Sequence, residues 1–272
     1  MTTLRYLVHA SLLGTISLGA GSALAQTRAV ESTNFEVGVK STDSDTSGST
    51  SNGTLGTDIR GTVPLGGLFA ISLSGGYSTT KVRTRDVLVS EDSSNTSDAT
   101  VRPSCSFDNT RGEVSLLARR PTLGKLAVSY GLGRLSSDCD QQSFFIPTND
   151  DRMETDGYRI DAEVYLGDFT LGASRSTVNL DDAGPELETT TIMASWYPLD
   201  SLRVSVSGSD LYDQDTYGLV LEHQPEFLGD SFGVQLGYSN TDATPKTRTL
   251  HLGLTYHFGS RVELKTRDRQ YR

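Results

Sequence analysis

Residues 247–258, Thr-Arg-Thr-Leu-His-Leu-Gly-Leu-Thr-Tyr-His-Phe, put Leu250, Leu252, Leu254, Tyr256 and Phe258 on one parity and His251, Gly253, Thr255 and His257 on the other. Side chains of a β-strand alternate faces with period two, so this stretch shows a continuous apolar stripe to one medium and a small polar stripe to another. An aromatic pair ends the apolar stripe. The same pattern recurs down the chain behind an export signal, and that combination fits strands closed into a barrel in lipid.

The export signal is residues 1–25. Arg5 precedes an apolar run from Tyr6 to Ala20, and Ala23-Leu24-Ala25 places small residues where a signal peptidase reads them. The mature chain is expected to begin at Gln26, with 26–32 as an N-terminal periplasmic segment. No later run approaches the roughly 20 apolar residues of a spanning helix, which excludes a helical inner-membrane protein. A net charge of -10, 27 glycines and 35% hydrophobic residues look soluble on average. A barrel hides its apolar character, because every second strand residue faces the lumen.

The period-two template fits about twelve strands between residues 33 and 258. The outward sets run from Phe35, Val37 and Val39, through Leu55, Ile59 and Val63, to Phe69, Ile71, Leu73 and Tyr77. They continue with Val114 and Leu116, then Leu126, Val128 and Tyr130, then Tyr158, Ile160, Ala162, Val164 and Leu166. Phe169, Leu171 and Ala173 mark a seventh strand and Ile192, Ala194 and Trp196 an eighth, both short; Val204, Leu219, Leu236 and Leu252 centre the last four. Connections alternate between tight turns rich in Pro, Gly and Asp, such as 64–67, 121–124 and 167–168, and longer ones at 41–54, 85–107, 137–156, 179–189, 209–216 and 240–247. Tight periplasmic turns with longer outer loops put both termini in the periplasm. The expected fold is all-β, a transmembrane antiparallel up-and-down barrel.

These features resemble Gram-negative outer-membrane β-barrels of the small porin or channel kind over residues 33–258. In that resemblance Leu254, Tyr256 and Phe258 are similar to the C-terminal signal read by the barrel-insertion machinery, although that signal normally ends the chain. Here a charged periplasmic tail follows at 259–272, carrying Arg261, Lys265, Arg267, Arg269 and Arg272. It is expected to be disordered, with docking on an anionic periplasmic polymer as the other reading. The resemblance implies an outer-membrane location, lipid and lipopolysaccharide as surroundings, and passive diffusion of small polar solutes, with no catalytic residue, cofactor or metal.

The inward parity decides whether such a barrel conducts. Many inward positions are small, among them Ser72, Ser74, Gly76, Ser129, Gly131, Gly133, Ser205, Ser207, Gly237 and Gly253, and cannot fill a twelve-stranded lumen. Asp58, Arg60, Arg111, Glu113, Arg119, Arg159, Asp161 and Glu163 are the candidate pore-lining charges. They form either a charged constriction or a set of mutually paired supports. The six outer loops hold 20 acidic residues against four basic ones. An acidic mouth that includes Asp150, Asp151, Asp181 and Asp182 points to cation preference.

Two other classes compete. A structural, adhesin or receptor barrel would act through loops 85–107 and 137–156, while loop 41–54 reads as a flexible Ser/Thr/Gly/Asp segment. A membrane-embedded hydrolase would need His251 beside Ser239 or Ser209, a far weaker signal than a motif. The aspartates at 210, 213 and 215, or at 181 and 182, lack the spacing of a calcium loop. A sequence pI near 4.9 leaves no footprint for nucleic acid.

Cys105 and Cys139 lie symmetrically about Thr122, the middle of a short turn. A register in which paired residues total 244 joins Val114 to Tyr130 and Leu116 to Val128, and brings the cysteines opposite each other. Directly opposed strand residues lie within disulfide reach, and an exported protein meets oxidising surroundings. A Cys105–Cys139 disulfide is therefore expected.

Overall fold

The computed structural model describes residues 29–46, 50–84, 87–89, 99–101, 104–139, 152–180, 186–210, 214–243 and 246–272. The signal-peptide reading lies outside the described residues. The strands are β1 (Asn34–Thr46), β2 (Thr50–Gly66), β3 (Phe69–Thr84), β4 (Val87–Val89), β5 (Ala99–Val101), β6 (Ser104–Arg120), β7 (Gly124–Cys139), β8 (Arg152–Leu166), β9 (Phe169–Leu180), β10 (Glu186–Leu199), β11 (Leu202–Asp210), β12 (Asp215–His223), β13 (Phe232–Thr241) and β14 (Thr247–Phe258). One helix, α1 (Leu264–Gln270), follows. All except β4 and β5, which pair only with each other, form one closed antiparallel barrel of twelve strands in chain order, with β14 returning to β1.

Closure runs from Phe35 opposite Phe258 to Thr46 opposite Thr247. Every wall strand keeps the parity read from the sequence. On β8 the exposed residues Tyr158, Ile160, Val164 and Leu166 alternate with the buried Asp161, Glu163 and Tyr165. Among the described residues no helix is long and apolar enough to cross a membrane; the apolar surface lies on the strands. Tyr77, Tyr130, Tyr158, Tyr217 and Tyr238 stand outward on the loop-end side, and Phe35, Phe69, Phe169, Trp196 and Phe258 on the turn-end side. The eight-residue step from Tyr158 to Leu166 on a strand tilted by about 40° spans about 20 Å, close to the apolar band of an outer-membrane barrel. The rings at the turn end pack together: Phe35 and Phe258 lie 5.4 Å apart, Tyr256 and Phe258 4.6 Å, Phe232 and Tyr256 4.8 Å. Leu254, Tyr256 and Phe258 thus sit at the closure seam.

The strands outrun their apolar stripes. The stretch 41–54, expected to be a flexible loop, is mostly strand: β1 and β2 pair as far as Thr46 and Thr50. Inward side chains pair across these extensions, with Ser44 bonded to Thr249 at 2.9 Å and Thr54 to Thr80 at 2.9 Å. The other long connections shorten likewise, and 85–107 contributes the β4–β5 pair as well as the start of β6. The strands read as short reach 12 residues in β9 and 14 in β10. Their far halves carry Arg175, Glu186 and Glu188 outward, which suits water and breaks the apolar stripe. At the opposite end turns are tight. Gly66 at φ 109° and Gly67 at φ 55° occupy the left-handed region that glycine enters without a Cβ clash. The β6–β7 register pairs Val114 with Tyr130, Leu116 with Val128 and Cys105 with Cys139. Cys105 is disulfide-bonded.

Residues 259–272, expected to be disordered, fold into the barrel. In the docked arrangement the tail supplies partners for the charges that the lumen wall buries at this level.

The parity assignment is testable on one strand. Val206→Arg, on the lipid face of β11, should lower unfolding stability by about 2–4 kcal/mol, whereas Ser207→Arg next to it, facing the lumen, should cost far less. Urea titration of the heat-modifiable band in detergent after removal of residues 1–25 measures both. Equal losses would show that β11 is misregistered.

Candidate functional site

The lumen has an open upper part and a filled lower part. The upper part is a cavity of about 410 Å³. On one side β1, β2, β6 and β8 bring Lys40, Asp58, Arg60, Arg111, Glu113 and Arg159 to it; on the other, β9 to β14 bring Ser174, Ser207, Ser209, Thr216, Gly218 and Ser239. Two glycines let charged side chains lie against the wall. A Cβ at Gly38 would stand 2.7 Å from Asp58 Oδ1, and one at Gly76 would stand 3.1 Å from Arg111 Nε. Arg159 donates to Glu113 at 3.0 Å and to Asp161 at 2.8 Å, and Arg60 stands 3.5 Å from Glu36. On the inward face of this cavity Lys40, Arg60, Arg111 and Arg159 meet Asp58 and Glu113, with Asp161 and Glu36 just below as further partners of Arg159 and Arg60.

Of the eight charges expected to line a pore, Asp58, Arg60, Arg111, Glu113 and Arg159 border the cavity. Asp161, Glu163 and Arg119 do not; each is 4% exposed or less and lies lower, at the level of the tail. There Lys125 pairs with Glu163 at 2.9 Å, and Tyr165 donates to the same carboxylate at 3.1 Å. No Arg119 guanidinium nitrogen has a hydrogen-bond partner.

The filled part is made by both ends of the described chain. Ala29 and Val30 are fully buried against Ala70, Leu117 and Ala127, and the Ala29 amide donates to Gly67 O at 2.8 Å. From β14 the chain turns inward at Gly259, φ 102°, and runs without regular structure into α1. Leu264 packs on Tyr165 and Tyr197. The remaining contacts are ionic or hydrogen-bonded. Arg203 of β11 holds Asp268 at 3.2 Å and also Glu222 of β12. Arg272 holds Glu36 at 2.9 Å, Glu222 at 3.3 Å and Asp268 at 2.8 Å. Arg269 donates to the carbonyls of Gly167 and Phe169 at 2.8 Å and stacks 4.7 Å from the Tyr165 ring centre. At the rim Lys265 reaches Asp168 at 2.8 Å and Asp200 at 2.7 Å. The two termini are tied together by the Glu31 amide donating to Gln270 O at 3.1 Å and by Asn34 donating to Tyr271 O. Composition could have flagged this plug: the tail is basic, and Glu36 and Glu222 sit on inward positions near the turns.

Neither a family model nor a curated protein sequence matches the chain. Solved structures do. An outer-membrane channel from Pseudomonas putida F1 aligns over 90% of this chain and 100% of its own at TM-score 0.59 and 10% identity. A mutant of the monoaromatic hydrocarbon channel TodX aligns over 91% and 96% at TM-score 0.56 and 10% identity. The β-domain of the Bordetella autotransporter BrkA aligns over 83% and 99% at TM-score 0.52 and 10% identity. The fold is that of an outer-membrane β-barrel.

On this barrel most of the described acidic residues of the loop end stand on the outward parity, although Asp156 borders the cavity. Asp43, Asp45, Asp138, Glu154, Glu186, Glu188, Asp210 and Asp215 are exposed on the outward parity. Arg134 binds Glu154 at 2.8 Å and Arg175 binds Glu188 at 2.8 Å. Asp150, Asp151, Asp181 and Asp182 lie outside the described residues. His251 lies across Gly237, where a Cβ would overlap its ring, and among the described residues it makes no hydrogen bond to Ser239 or Ser209. Among them, too, no group of side chains is arranged to hold a metal ion.

The hydrogen bond from Lys265 to Asp168, reinforced by the charge of Lys265, holds the Asp168 carboxyl below its ordinary value. Burial alone would lower Lys265, but its hydrogen bonds to Asp168 and Asp200 carry it above. A depressed carboxyl stabilises docking above its free pKa of about 4 and loses that contribution as pH falls through the bound value. A raised lysine stabilises docking below its free pKa of about 10 and loses that contribution as pH rises through the bound value. Exchange protection of the Arg267 and Tyr271 amides, corrected for intrinsic rate, should therefore be flat between these limits and fall on the acid side. Asp168→Asn should remove part of that fall. Deeper in the plug, Arg203→Met leaves Glu222 and Asp268 short of a partner and should cost about 3 kcal/mol in urea unfolding.

Proposed function

We propose that the protein is a channel of the Gram-negative outer membrane for passive diffusion of small polar solutes. The observation that carries this reading is the polar cavity, lined by charge on one side and by serine, threonine and glycine on the other. Water wets such walls at little cost, whereas side chains this small cannot seal a twelve-stranded lumen. The apolar band would face lipid, with lipopolysaccharide at the charged loop end, and Leu254, Tyr256 and Phe258 would be read by the insertion machinery.

Two fields act on a permeating ion. The loop acids surround the outer end and favour cations within a Debye length of about 8 Å at physiological salt. The inward cations Lys40, Arg60, Arg111 and Arg159 favour anions within the lumen to the extent that Asp58, Glu113 and the deeper Asp161 and Glu36 leave them uncompensated. Cation preference thus depends on the loop acids outweighing the wall below them. Reversal potentials in planar bilayers separate the two. Neutralising Asp150, Asp151, Asp181 and Asp182 together should lower cation permeability at low salt and do much less at about 1 M, where the Debye length is about 3 Å. Arg60→Gln with Arg111→Gln should shift permeation toward cations at both salts. A barrel that conducts nothing in any of these forms would end the channel reading.

A further inference from the structure

The plug closes the turn end, and its chemistry differs from that of a permanent core. Only Leu264 gives α1 an apolar anchor. Apart from the buried Tyr271 ring and the stacking of Arg269 on Tyr165, what holds the tail is ion pairs and hydrogen bonds, the kind of contact that water can replace with small net loss. Nor is the fit complete. Arg267 Nε, Arg269 Nε and His257 Nε2 are buried without a hydrogen-bond partner, as is the whole Arg119 guanidinium. Each buried polar nitrogen left without a hydrogen bond raises the free energy of the closed arrangement.

The wall behind the plug is polar as well. Glu36, Lys125, Asp161, Glu163, Arg203 and Glu222 all point inward at this level. With the tail gone they would meet water, and the lumen would be charged and hydrated through to the turn end. The tail contributes nothing to the wall, because β14 ends at Phe258 and barrel closure involves β1 and β14 alone. Gly259, in the left-handed region, and the four irregular residues after it form a joint on which α1 can swing without breaking a strand.

We propose that residues 259–272 are a displaceable gate: docked, they close the turn end of the lumen, and released, they open it. This rests on the channel reading. The lock is the Arg203–Asp268–Arg272 group with Glu36 and Glu222, and Lys265 on Asp168 and Asp200 is the latch at the rim. The N-terminal segment stays on its own wall through Ala29 and Val30 and need not move.

Two variants of the chain lacking residues 1–25 test the gate in planar bilayers. One ends at Phe258, which also gives the chain the aromatic terminus that the insertion signal normally has. The other carries Asp200→Cys with Lys265→Cys; the Lys265 amide donates to Asp200 O at 2.9 Å, so the two backbones lie within disulfide reach. The full-length chain should be closed most of the time with brief openings. The truncated chain should hold a persistent open level, and the bridged chain should lose openings until reductant restores them. Unsubstituted protein treated with the same reductant controls for Cys105. Full-length and bridged chains conducting as steadily as the truncated one would overturn the gate and leave the channel reading intact. A truncated chain that refolds, by heat modifiability and strand-rich circular dichroism, yet never conducts would overturn the channel reading itself. If truncation prevents folding, the bridged chain decides: openings unaffected by the bridge reject the gate, and openings lost and then regained on reduction support it.

Discussion

The closure of β14 on β1 is the constraint on which the rest of the molecule depends. Inside a bilayer no water can satisfy a peptide N–H or C=O, so a sheet with a free edge is not viable there and a closed one is. The pairing from Phe35–Phe258 to Thr46–Thr247 removes both edges at once. With closure achieved, lipid lies outside every strand and the lumen inside, and a slip of one residue anywhere would turn leucines inward and arginines into lipid. Regular alternation on all twelve wall strands follows from that single requirement.

Closure with twelve strands creates a second problem. A barrel of about eight strands fills itself with its own side chains, and this one cannot at the level of the cavity, where β9 to β14 contribute mainly serine, threonine and glycine. At the turn end the space is taken by the chain termini. The charges on the two sides match: Glu36 and Glu222 stand on the wall where Arg272 arrives, and Asp268 arrives where Arg203 stands. A wall furnished in this way is tolerable in two states, paired with the tail or open to water. An apolar wall would be tolerable in one.

What the sequence made legible was whatever depends on neighbours along a strand. The inward and outward sets, the β6–β7 register about Thr122 and the tight turns all follow from period two and turn chemistry. The ends of the strands did not, because above the membrane both faces are polar. Asp43, Asp45, Arg175 and Glu188 carry no stripe to mark where pairing stops, and pairing there is set by the partner strand. The plug was less legible still. Its contacts join residues far apart in the chain, such as Glu36 to Arg272, and seven residues of Leu-Lys-Thr-Arg-Asp-Arg-Gln have no apolar periodicity of their own. Depth in the lumen was invisible for a related reason. Arg119 and Arg111 share a face of β6, yet one is buried beside the plug and the other borders the cavity.

The same dependence on face governs what the charges can do. The chain carries a net charge of -10, and its loop end is acidic, which by composition alone favours cations. Composition counts both faces of a strand, however, and a solute in the lumen meets one. Most of the described loop-end acids lie on the outward parity, two of them held by Arg134 and Arg175, while the inward parity below carries Lys40, Arg60, Arg111 and Arg159 against Asp58, Glu113 and the deeper Asp161 and Glu36. Exposed charges beyond a Debye length are screened, and partly buried ones are screened much less. The inward set is therefore screened less per charge than the outer ring, and the field inside the barrel depends on parity as well as on number.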